Sequence, residues 1–264
     1  MSVIRPPSKS IFRPAAGIDQ SVLEAHSDLI QDINRRKLLK GAISLGALTM
    51  LSGCDVSDDS EIRKALLAVS RWNDGVQEFI FRPNHLAPTF DASLVLKPPR
   101  YNAHYPIEEV KPVDVTGWKF ELSGLVRDKK AWTADEIYRL PEQDMIIRHI
   151  CVEGWDYIGQ WSGVNLRSFL ERIGADTTAK YLVFHCADGY VETLDMPSAL
   201  HPQTMLATKY AGEIMTDPFG FPLRLRTSTK LGFKNAKWIT AMEVTNQFTQ
   251  TFFGKEGNNW FSGI

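Results

Sequence analysis

The chain of 264 residues has few cysteines, no long apolar run and almost no net charge. Its three cysteines are too few for a disulfide scaffold, so the fold must depend on a hydrophobic core. No apolar run reaches the roughly 18 residues that a membrane span requires. Lys and Arg number 30 against 31 Asp and Glu, which argues against nucleic acid as a partner, since phosphate binding requires surplus cations.

Several short motifs that identify catalytic and metal sites are also missing. No spacing of histidine and cysteine matches a zinc site, and no Ser/His/Asp or phosphate-loop pattern is present. Without a Cys-x-x-Cys-His haem motif, electrons for a redox reaction would have to come through another protein. The isolated His85, His104, His185 and His201 are interpreted as surface or core residues.

Charge is distributed unevenly, with a net charge of +3 in residues 1–53 and −4 in the remainder. A basic stretch containing Arg35 and Arg36 precedes 13 uncharged residues, 41–53, and then Cys54. This order predicts an export signal. The arginine pair resembles a twin-arginine signal, and the sequence LSGC ending at Cys54 resembles a bacterial lipobox, which would place a diacyl group on that cysteine. The alternative is an amphipathic leader in which both features occur by chance.

The composition predicts three parts. Residues 1–54 are the export signal with its lipobox, residues 55–100 are a tether and N-terminal arm rich in Asp, Ser, Pro and Asn, and residues 101–264 are the folded domain. The 34 residues before the arginine pair form a long leading region, so a start later than Met1 is an alternative.

Strand patterns dominate residues 101–264, with short helices and frequent turns. A capping box at residues 133–136 predicts a helix that Pro141 ends, and apolar spacing over residues 166–173 predicts a second one that Gly174 closes. These patterns predict a single α+β domain with a mixed sheet. The predicted strands cover residues 113–126, 146–150, 181–184, 190–194, 205–208, 213–215, 223–226 and 238–244.

The stretch between Asp217 and Glu243 contains five cations and no acid. In an acidic domain, five uncompensated cations indicate an anionic partner. They alternate with Phe, Leu and Trp, as in a pocket lining, which favours a bound phosphate-like cofactor over the alternative of a solvated basic loop. The five are Arg224, Arg226, Lys230, Lys234 and Lys237.

Cys151 follows an apolar strand that contains Arg148 and His149. Cationic neighbours are expected to lower the pKa of its thiol and to favour the thiolate, which binds soft metals. Two alternatives remain at this point. Cys151 is either a buried apolar residue or one half of a disulfide with Cys186.

Taken together, several segments resemble the sulfite-oxidase-type molybdopterin oxidoreductases. The likeness runs from about Tyr101 to Val244, with the segments in the expected order, and is nearest to the bacterial periplasmic methionine-sulfoxide reductases, which are also exported by the twin-arginine route. The segments are residues 148–155 (RHICVEGW), 160–163 (QWSG), 201–202 (HP), 222–225 (PLRL) and 230–237 (KLGFKNAK).

The resemblance implies the sulfite-oxidase fold, an α+β fold with mixed, mainly antiparallel sheets and short helices. It also implies one molybdenum on a single molybdopterin without a nucleotide, with Cys151 as the protein's thiolate ligand and the catalytic residue. Cys186 and Phe219 stand where the related reductases have threonine and asparagine. The implied cofactor-binding residues are Asn102, Tyr105, Pro106, Cys186, Phe219, Arg224, Asn235, Ala236 and Lys237.

The implied reaction is two-electron oxygen-atom transfer, with a sulfoxide such as protein methionine sulfoxide as substrate. Glu153 and Trp155 favour a neutral, partly apolar substrate over a dianion, although Arg148 opposes this argument. Trp155 and Trp161 are expected to wall the entrance. The expected electron donor is a membrane cytochrome, and the expected location is the periplasm, with a lipid anchor at Cys54. The alternatives are oxidation of sulfite or another small sulfur species, and a non-catalytic exported binding lipoprotein.

Overall fold

A computed structural model describes residues 60–264, with side chains at position 64 and from position 66 onward. The predicted signal, the arginine pair and Cys54 lie outside these residues. Residues 65–264 form one structural unit.

The helices are short apart from the first. They are α1 Ser60–Ile80, α2 Ala134–Tyr138, α3 Leu166–Arg172, α4 Met196–Ala199 and α5 Phe252–Lys255. The strands are β1 Glu121–Gly124, β2 Gln143–Ile150, β3 Asp156–Asn165, β4 Tyr181–Cys186, β5 Val191–Asp195, β6 Thr204–Tyr210, β7 Glu213–Ile214, β8 Arg224–Thr227 and β9 Ile239–Thr245.

The strands form two sheets. One contains four strands in the order β1-β9-β4-β5, in which β1 and β9 are parallel and the other pairs are antiparallel. The other contains five antiparallel strands, with β2-β3-β6-β7 in order and β8 also paired to β6. This mixed, mainly antiparallel arrangement with short helices confirms the predicted α+β fold class.

Local sequence signals account for most of these elements. Thr133 and Glu136 form the predicted capping box at the start of α2. Gly174 follows α3 with φ of +60°, a conformation that glycine adopts without steric cost. The predicted strand over residues 113–126 is regular only at β1, where Leu122 is buried, and the preceding Phe120 is buried as well.

Helix α1 lies in the segment for which the sequence predicted a tether and an arm, and no helix was predicted there. Its Asp74 is buried, and its carboxylate accepts hydrogen bonds from the backbone N–H groups of Trp260 at 3.0 Å and Phe261 at 2.8 Å. Gln77 Oε1 likewise accepts a hydrogen bond from Gly263 N at 3.0 Å. Polar contacts therefore hold this helix against the segment that follows α5.

The two sheets bring three loops together. Strand β2 of the five-stranded sheet runs directly into Cys151, and the β4–β5 turn of the other sheet contains Asp188. The loop between β8 and β9 joins the two sheets and contains residues 228–238. These loops surround the cavity described next.

Candidate functional site

A cavity of ≈ 210 Å³ lies among these loops and the segment around Asn102. Five of the residues predicted from the sequence to bind the cofactor or metal line it. They are Asn102, Cys151, Asn235, Ala236 and Lys237. Residues that are separated by more than a hundred positions in the sequence therefore meet at one site.

Cys151 occupies a tight turn between β2 and β3. Its backbone N–H donates to the carbonyl of Trp155 at 2.9 Å, and Gly154, which has a φ of +88°, donates to the Cys151 carbonyl at 3.1 Å. The Cys151 Sγ lies 3.7 Å from Glu153 Oε2 and only 7% of the residue is exposed. The turn thus presents a single thiol to the cavity.

The electrostatic expectation for this thiol was wrong. Burial raises the pKa of Cys151, and the negative charge of Glu153 acts in the same direction, although backbone N–H groups oppose it. Trp155 Nε1 donates to Glu153 Oε2 at 2.7 Å, which holds this carboxylate beside the sulfur. The cations nearby in sequence do not set the pKa of the thiol.

Cys186 lies at the end of β4, where it is buried beside the site but does not line the cavity. Cys151 and Cys186 are both free thiols, so the disulfide alternative is wrong for this structure. Burial raises the pKa of Cys186 well above its usual value. At this position the protein therefore has a small, uncharged side chain.

The five cations of the acid-free stretch were expected to share an anionic partner, but they fall into two groups. Two of them pair with carboxylates of β5, a strand that lies outside the acid-free stretch. Lys230 Nζ lies 3.1 Å from Asp195 Oδ1, and Lys234 Nζ donates to Glu192 Oε1 and, at 2.8 Å, to the carbonyl of Thr193. All four charged side chains are buried. Each of these two lysines therefore forms an internal ion pair with a carboxylate of β5.

The remaining three cations, Arg224, Arg226 and Lys237, are also buried, and no described carboxylate lies within ion-pair distance of them. Burial lowers the pKa of Arg224 to about 10, that of Arg226 to about 9 and that of Lys237 to about 6. Repulsion by Arg224 contributes to the last shift. Since buried charges are normally paired, this cluster lacks an anion.

Trp161 supports the two arginines. The guanidinium carbons of Arg224 and Arg226 lie 4.6 and 5.6 Å from the centroid of its ring, within the range of cation–π attraction. Because Trp161 is fully buried, the expectation that it walls the entrance was wrong. Trp155 is half-buried beside the cysteine turn.

Several buried polar atoms at and near these arginines have no hydrogen-bond partner. Among the described side chains, the Nε atoms of Arg224 and Arg226, Nδ1 of His149 and Nε1 of Trp161 are buried without a hydrogen-bond partner. Buried donors are normally satisfied, and donors clustered around a cavity fit a ligand with several anionic oxygens. The residues present therefore fit a phosphate-bearing cofactor.

His149 was not predicted as a site residue. It is almost fully buried, and its Nε2 lies 3.4 Å from Nδ2 of Asn102, which lines the cavity. Burial and the charges of Arg226, Arg224 and Lys237 lower its pKa well below the usual range. A Cβ at Gly232 would lie 2.7 Å from His149 Nε2, so the loop approaches this ring as closely as it does only because residue 232 is glycine. His149 lies two positions before Cys151 in the sequence, and this proximity could have indicated that it belongs to the site.

Four other predicted residues lie around the cavity without lining it. Arg224 donates from Nη1 to the carbonyl of Phe219 at 2.9 Å. Tyr105 donates to Asp188 at 3.3 Å and stacks on Trp238 with ring centroids 5.9 Å apart. Pro106 begins a short 3-10 turn. Of these residues, Tyr105 directly contacts two lining residues, Asp188 and Trp238.

The lining includes residues that sequence reasoning did not assign. His104 had been interpreted as a surface or core histidine, and Glu153 had been considered only for its charge. The aromatic members follow no motif and are brought in by tertiary packing. Among the unassigned residues are His104, Asp188, Tyr190, Phe233, Trp238 and Phe253.

Comparison with known proteins shows the family of the chain. Residues 104–253 match the family described as oxidoreductase molybdopterin binding domain. The chain belongs to this family. The match spans both sheets, Cys151 and the three unpaired cations, so the chain is a molybdopterin-dependent oxidoreductase.

Curated relatives of the family bear sulfoxide-reductase names. A protein of Azospira oryzae named putative protein-methionine-sulfoxide reductase subunit YedZ1 is 48% identical over 229 residues, which is 87% of each chain. The protein-methionine-sulfoxide reductase catalytic subunit MsrP of Xanthomonas campestris is 30% identical over 162 residues, covering 55% of this chain and 50% of MsrP. This chain therefore spans only half of MsrP.

Among solved structures, the sulfane dehydrogenase SoxCD of Paracoccus pantotrophus matches with a TM-score of 0.51 and 18% identity, covering 55% of this chain and 42% of that one. At this identity the likeness concerns the fold, which is of the sulfite-oxidase type. No helix within residues 60–264 has the length and apolar character to cross a membrane.

Within the same residues, no group of three or more His, Cys, Asp or Glu side chains is arranged to hold a metal ion. A metal at this site would receive one protein ligand, the Cys151 sulfur, and the pterin dithiolene would supply further sulfur ligands. This donor set suits molybdenum, since soft thiolates bind soft metals.

Proposed function

We propose that this molybdopterin-dependent enzyme reduces a sulfoxide, such as protein-bound methionine sulfoxide, by two-electron oxygen-atom transfer. The observation that carries the proposal is the placement of one thiol, Cys151, in a cavity backed by three buried cations that have no carboxylate partner. The names of the curated relatives support the sulfoxide as substrate.

The roles of the cofactor-binding residues follow from their positions. Cys151 ligates molybdenum, while Asn102, Asn235 and Ala236 contact a single molybdopterin without a nucleotide. Arg224 and Lys237 offset the charge of its phosphate, and the other four implied residues, Tyr105, Pro106, Cys186 and Phe219, contribute to its surroundings. When bound, the cofactor supplies a metal that exchanges one oxygen atom and two electrons with the substrate.

The residues at the mouth favour a neutral substrate with an apolar substituent. Val152 is 49% exposed, Phe253 lines the same cavity, and Glu153 places a carboxylate beside the thiol. Arg148, which could have received an anion, is 54% exposed at its side chain and forms an ion pair with Asp156. Its guanidinium is therefore engaged with another carboxylate, which favours a sulfoxide over sulfite.

The overall reaction consumes two electrons and two protons. The sulfoxide S–O bond breaks, the sulfur is reduced to a thioether, and the oxygen leaves as water. The electrons come from a separate donor, for which we propose a membrane cytochrome. MsrP is named a catalytic subunit, which is consistent with a separate subunit that supplies the electrons.

We also propose that the protein works in the periplasm. Residues 1–54 would direct twin-arginine export and leave a lipid anchor at Cys54, residues 55–100 would be a tether and arm, and residues 101–264 would be the catalytic domain. Since twin-arginine export moves folded proteins, it suits an enzyme that acquires its cofactor before export.

One enzyme preparation assayed in both directions tests the function. Reduced dye with methionine sulfoxide measures reduction, and sulfite with an artificial acceptor measures oxidation. We expect about one molybdenum per chain by elemental analysis, and faster turnover of the sulfoxide. Clearly faster sulfite turnover would instead establish the oxidase alternative. Protein without molybdenum from a host that makes the cofactor would leave the non-catalytic binding lipoprotein as the remaining alternative.

A further inference from the structure

Helix α1 presents its polar side to the protein and its apolar side to solvent. Asp74 and Gln77 accept hydrogen bonds from the backbone of residues 260, 261 and 263, and Ser70 donates to Asn259. Ser70, Asp74 and Gln77 recur at the spacing of one helix face. A surface helix in a soluble protein ordinarily shows the reverse arrangement, with its apolar face toward the core.

The opposite face carries large apolar side chains. Val69 is 62% exposed, Trp72 71%, Val76 37% and Phe79 89%. Their spacing of three and four residues places them on one stripe, which Leu66 at 56% and Ile80 at 65% exposure widen. A contiguous apolar surface of this kind marks a binding face.

The helix cannot bury this stripe by turning about its own axis. Rotation would withdraw the Asp74 carboxylate from Trp260 N and Phe261 N, leaving a buried carboxylate without its two N–H donors. The polar contacts thus fix the outward orientation of the stripe, and what covers it must come from outside residues 65–264.

We propose that the apolar stripe of α1 lies on the surface of a lipid bilayer. The proposal rests on the lipid anchor described under the proposed function. Ser60, the first residue of α1, is only six positions after Cys54, so the chain between them spans at most about 20 Å. An acyl group on Cys54 would keep the helix next to the membrane, where a second contact forms at high effective concentration.

The composition of the stripe fits the interface rather than the bilayer interior. Trp and Phe side chains favour the level of the lipid headgroups, and a helix with one apolar face binds there parallel to the membrane plane. Arg71 and Arg82 are exposed at the edge and just beyond the end of the helix, where cationic side chains can reach anionic headgroups. Such a helix would add a second contact with the membrane to the anchor at Cys54.

The test separates the helix from the acyl group. The holoenzyme with Cys54→Ala is mixed with vesicles of phosphatidylcholine containing a quarter phosphatidylglycerol, and binding is measured by flotation. We expect binding that falls at least about tenfold in a Trp72→Gln/Phe79→Gln variant, because both aromatic side chains leave the interface. A control with Leu125→Gln/Ile214→Gln removes two exposed apolar residues elsewhere, 41% and 51% exposed, and should bind as before.

Three results would overturn the proposal. The first is that the Cys54→Ala protein does not bind the vesicles, and the second is that the stripe and control variants lose binding equally. The third is that the protein forms a dimer without lipid and that only the stripe substitutions dissociate it. Binding to native membranes but not to protein-free vesicles would assign the stripe to a membrane protein instead. Molybdenum content and sulfoxide turnover of the same preparations report on the proposed function independently, since none of these substitutions touches the cavity.

Discussion

Lys234 and Lys237 are three residues apart, and both are buried, but they have opposite surroundings. The Lys234 ammonium contacts the carboxylate of Glu192, whereas the Lys237 ammonium donates to the carbonyl of Pro218 at 3.1 Å and lies 4.2 Å from the ring centroid of Trp238. Lys234 belongs to an internal ion pair, whereas Lys237 is a buried amino group without a carboxylate partner.

This difference predicts opposite effects of the same substitution. Lys237→Met should stabilise the cofactor-free protein by about 1–3 kcal/mol, because it removes a polar group that is buried without a charged partner. It should also lower the molybdenum content of protein made in a competent host. Lys234→Met should destabilise the protein by about 3–5 kcal/mol, because Glu192 is left buried and unpaired.

Urea unfolding of the cofactor-free variants and elemental analysis of the loaded ones measure the two effects. Equal destabilisation by both substitutions would contradict the assignment of Lys237 to an anion site.

The stability of the cofactor-free protein should depend on pH through Lys237. Its pKa is about 6 in the folded state, mainly because of burial, against an ordinary value of 10.5. Between these values the unfolded chain binds more protons than the folded one, so the free energy of unfolding rises with pH by at most about 1.4 kcal/mol per unit.

Urea titrations at several pH values from 6 to 9 compare the unsubstituted protein with Lys237→Met. The difference between the two should change steadily across this range, since Lys230, whose pKa burial lowers to about 8, contributes equally to both proteins. A constant difference would show that Lys237 is protonated throughout.

Cys151→Ser should abolish turnover while leaving the melting temperature almost unchanged, because a hydroxyl is a poor ligand for a soft metal. Cys186→Ser should retain part of the turnover and lose about 1–3 kcal/mol of stability, since a buried hydroxyl replaces a thiol. Thermal melts and sulfoxide assays of both variants measure these effects. Equal, large losses of stability in both would restore the disulfide alternative.

Gly232→Ala should lower cofactor content through His149. The added methyl would lie 2.7 Å from Nε2 of that histidine, so the ring or the loop must move. Gly117→Ala is the matched control, because a Cβ there meets no atom within 4 Å. Molybdenum per chain, measured in both variants, should fall only for Gly232→Ala. Full occupancy in that variant would mean that the loop accommodates a methyl group without disturbing the site.

Export should depend on Arg35 and Arg36. Replacing both by lysine should leave precursor in the cytoplasm, because the twin-arginine receptor reads that pair. Cys54→Ala should shift the exported protein from the membrane toward the soluble fraction, with α1 as its remaining contact. Cell fractionation with immunodetection measures both outcomes. Unsubstituted protein found entirely in the soluble fraction would argue against the lipobox.

Local signals in the sequence predicted the elements of the folded domain well. The capping box at Thr133 and the glycine after α3 depend on neighbouring residues alone, and both were confirmed. The thiol of Cys151 and the loop at residues 235–237 were also found together at one cavity, as the family resemblance implied.

The failures concern relationships across the fold. Counting charges along one stretch could not show that β5 supplies Asp195 and Glu192 to two of its lysines. The burial of Trp161 follows from β3 being an inner strand, which its own residues do not specify. Helix α1 was missed because the composition of residues 55–100 indicated a tether, whereas the helix depends on polar contacts with residues far away in sequence.

Strand β8 and the loop that follows it hold the three cations that lack an anion, and this loop joins the two sheets. Without cofactor, mutual repulsion therefore acts at the junction of the domain, and binding the cofactor stabilises that junction by mass action. Loading therefore adds to the stability of the fold, so an empty molecule is expected to unfold more readily than a full one. If the chain is exported in its folded state, as proposed, an unloaded molecule would be the less stable cargo.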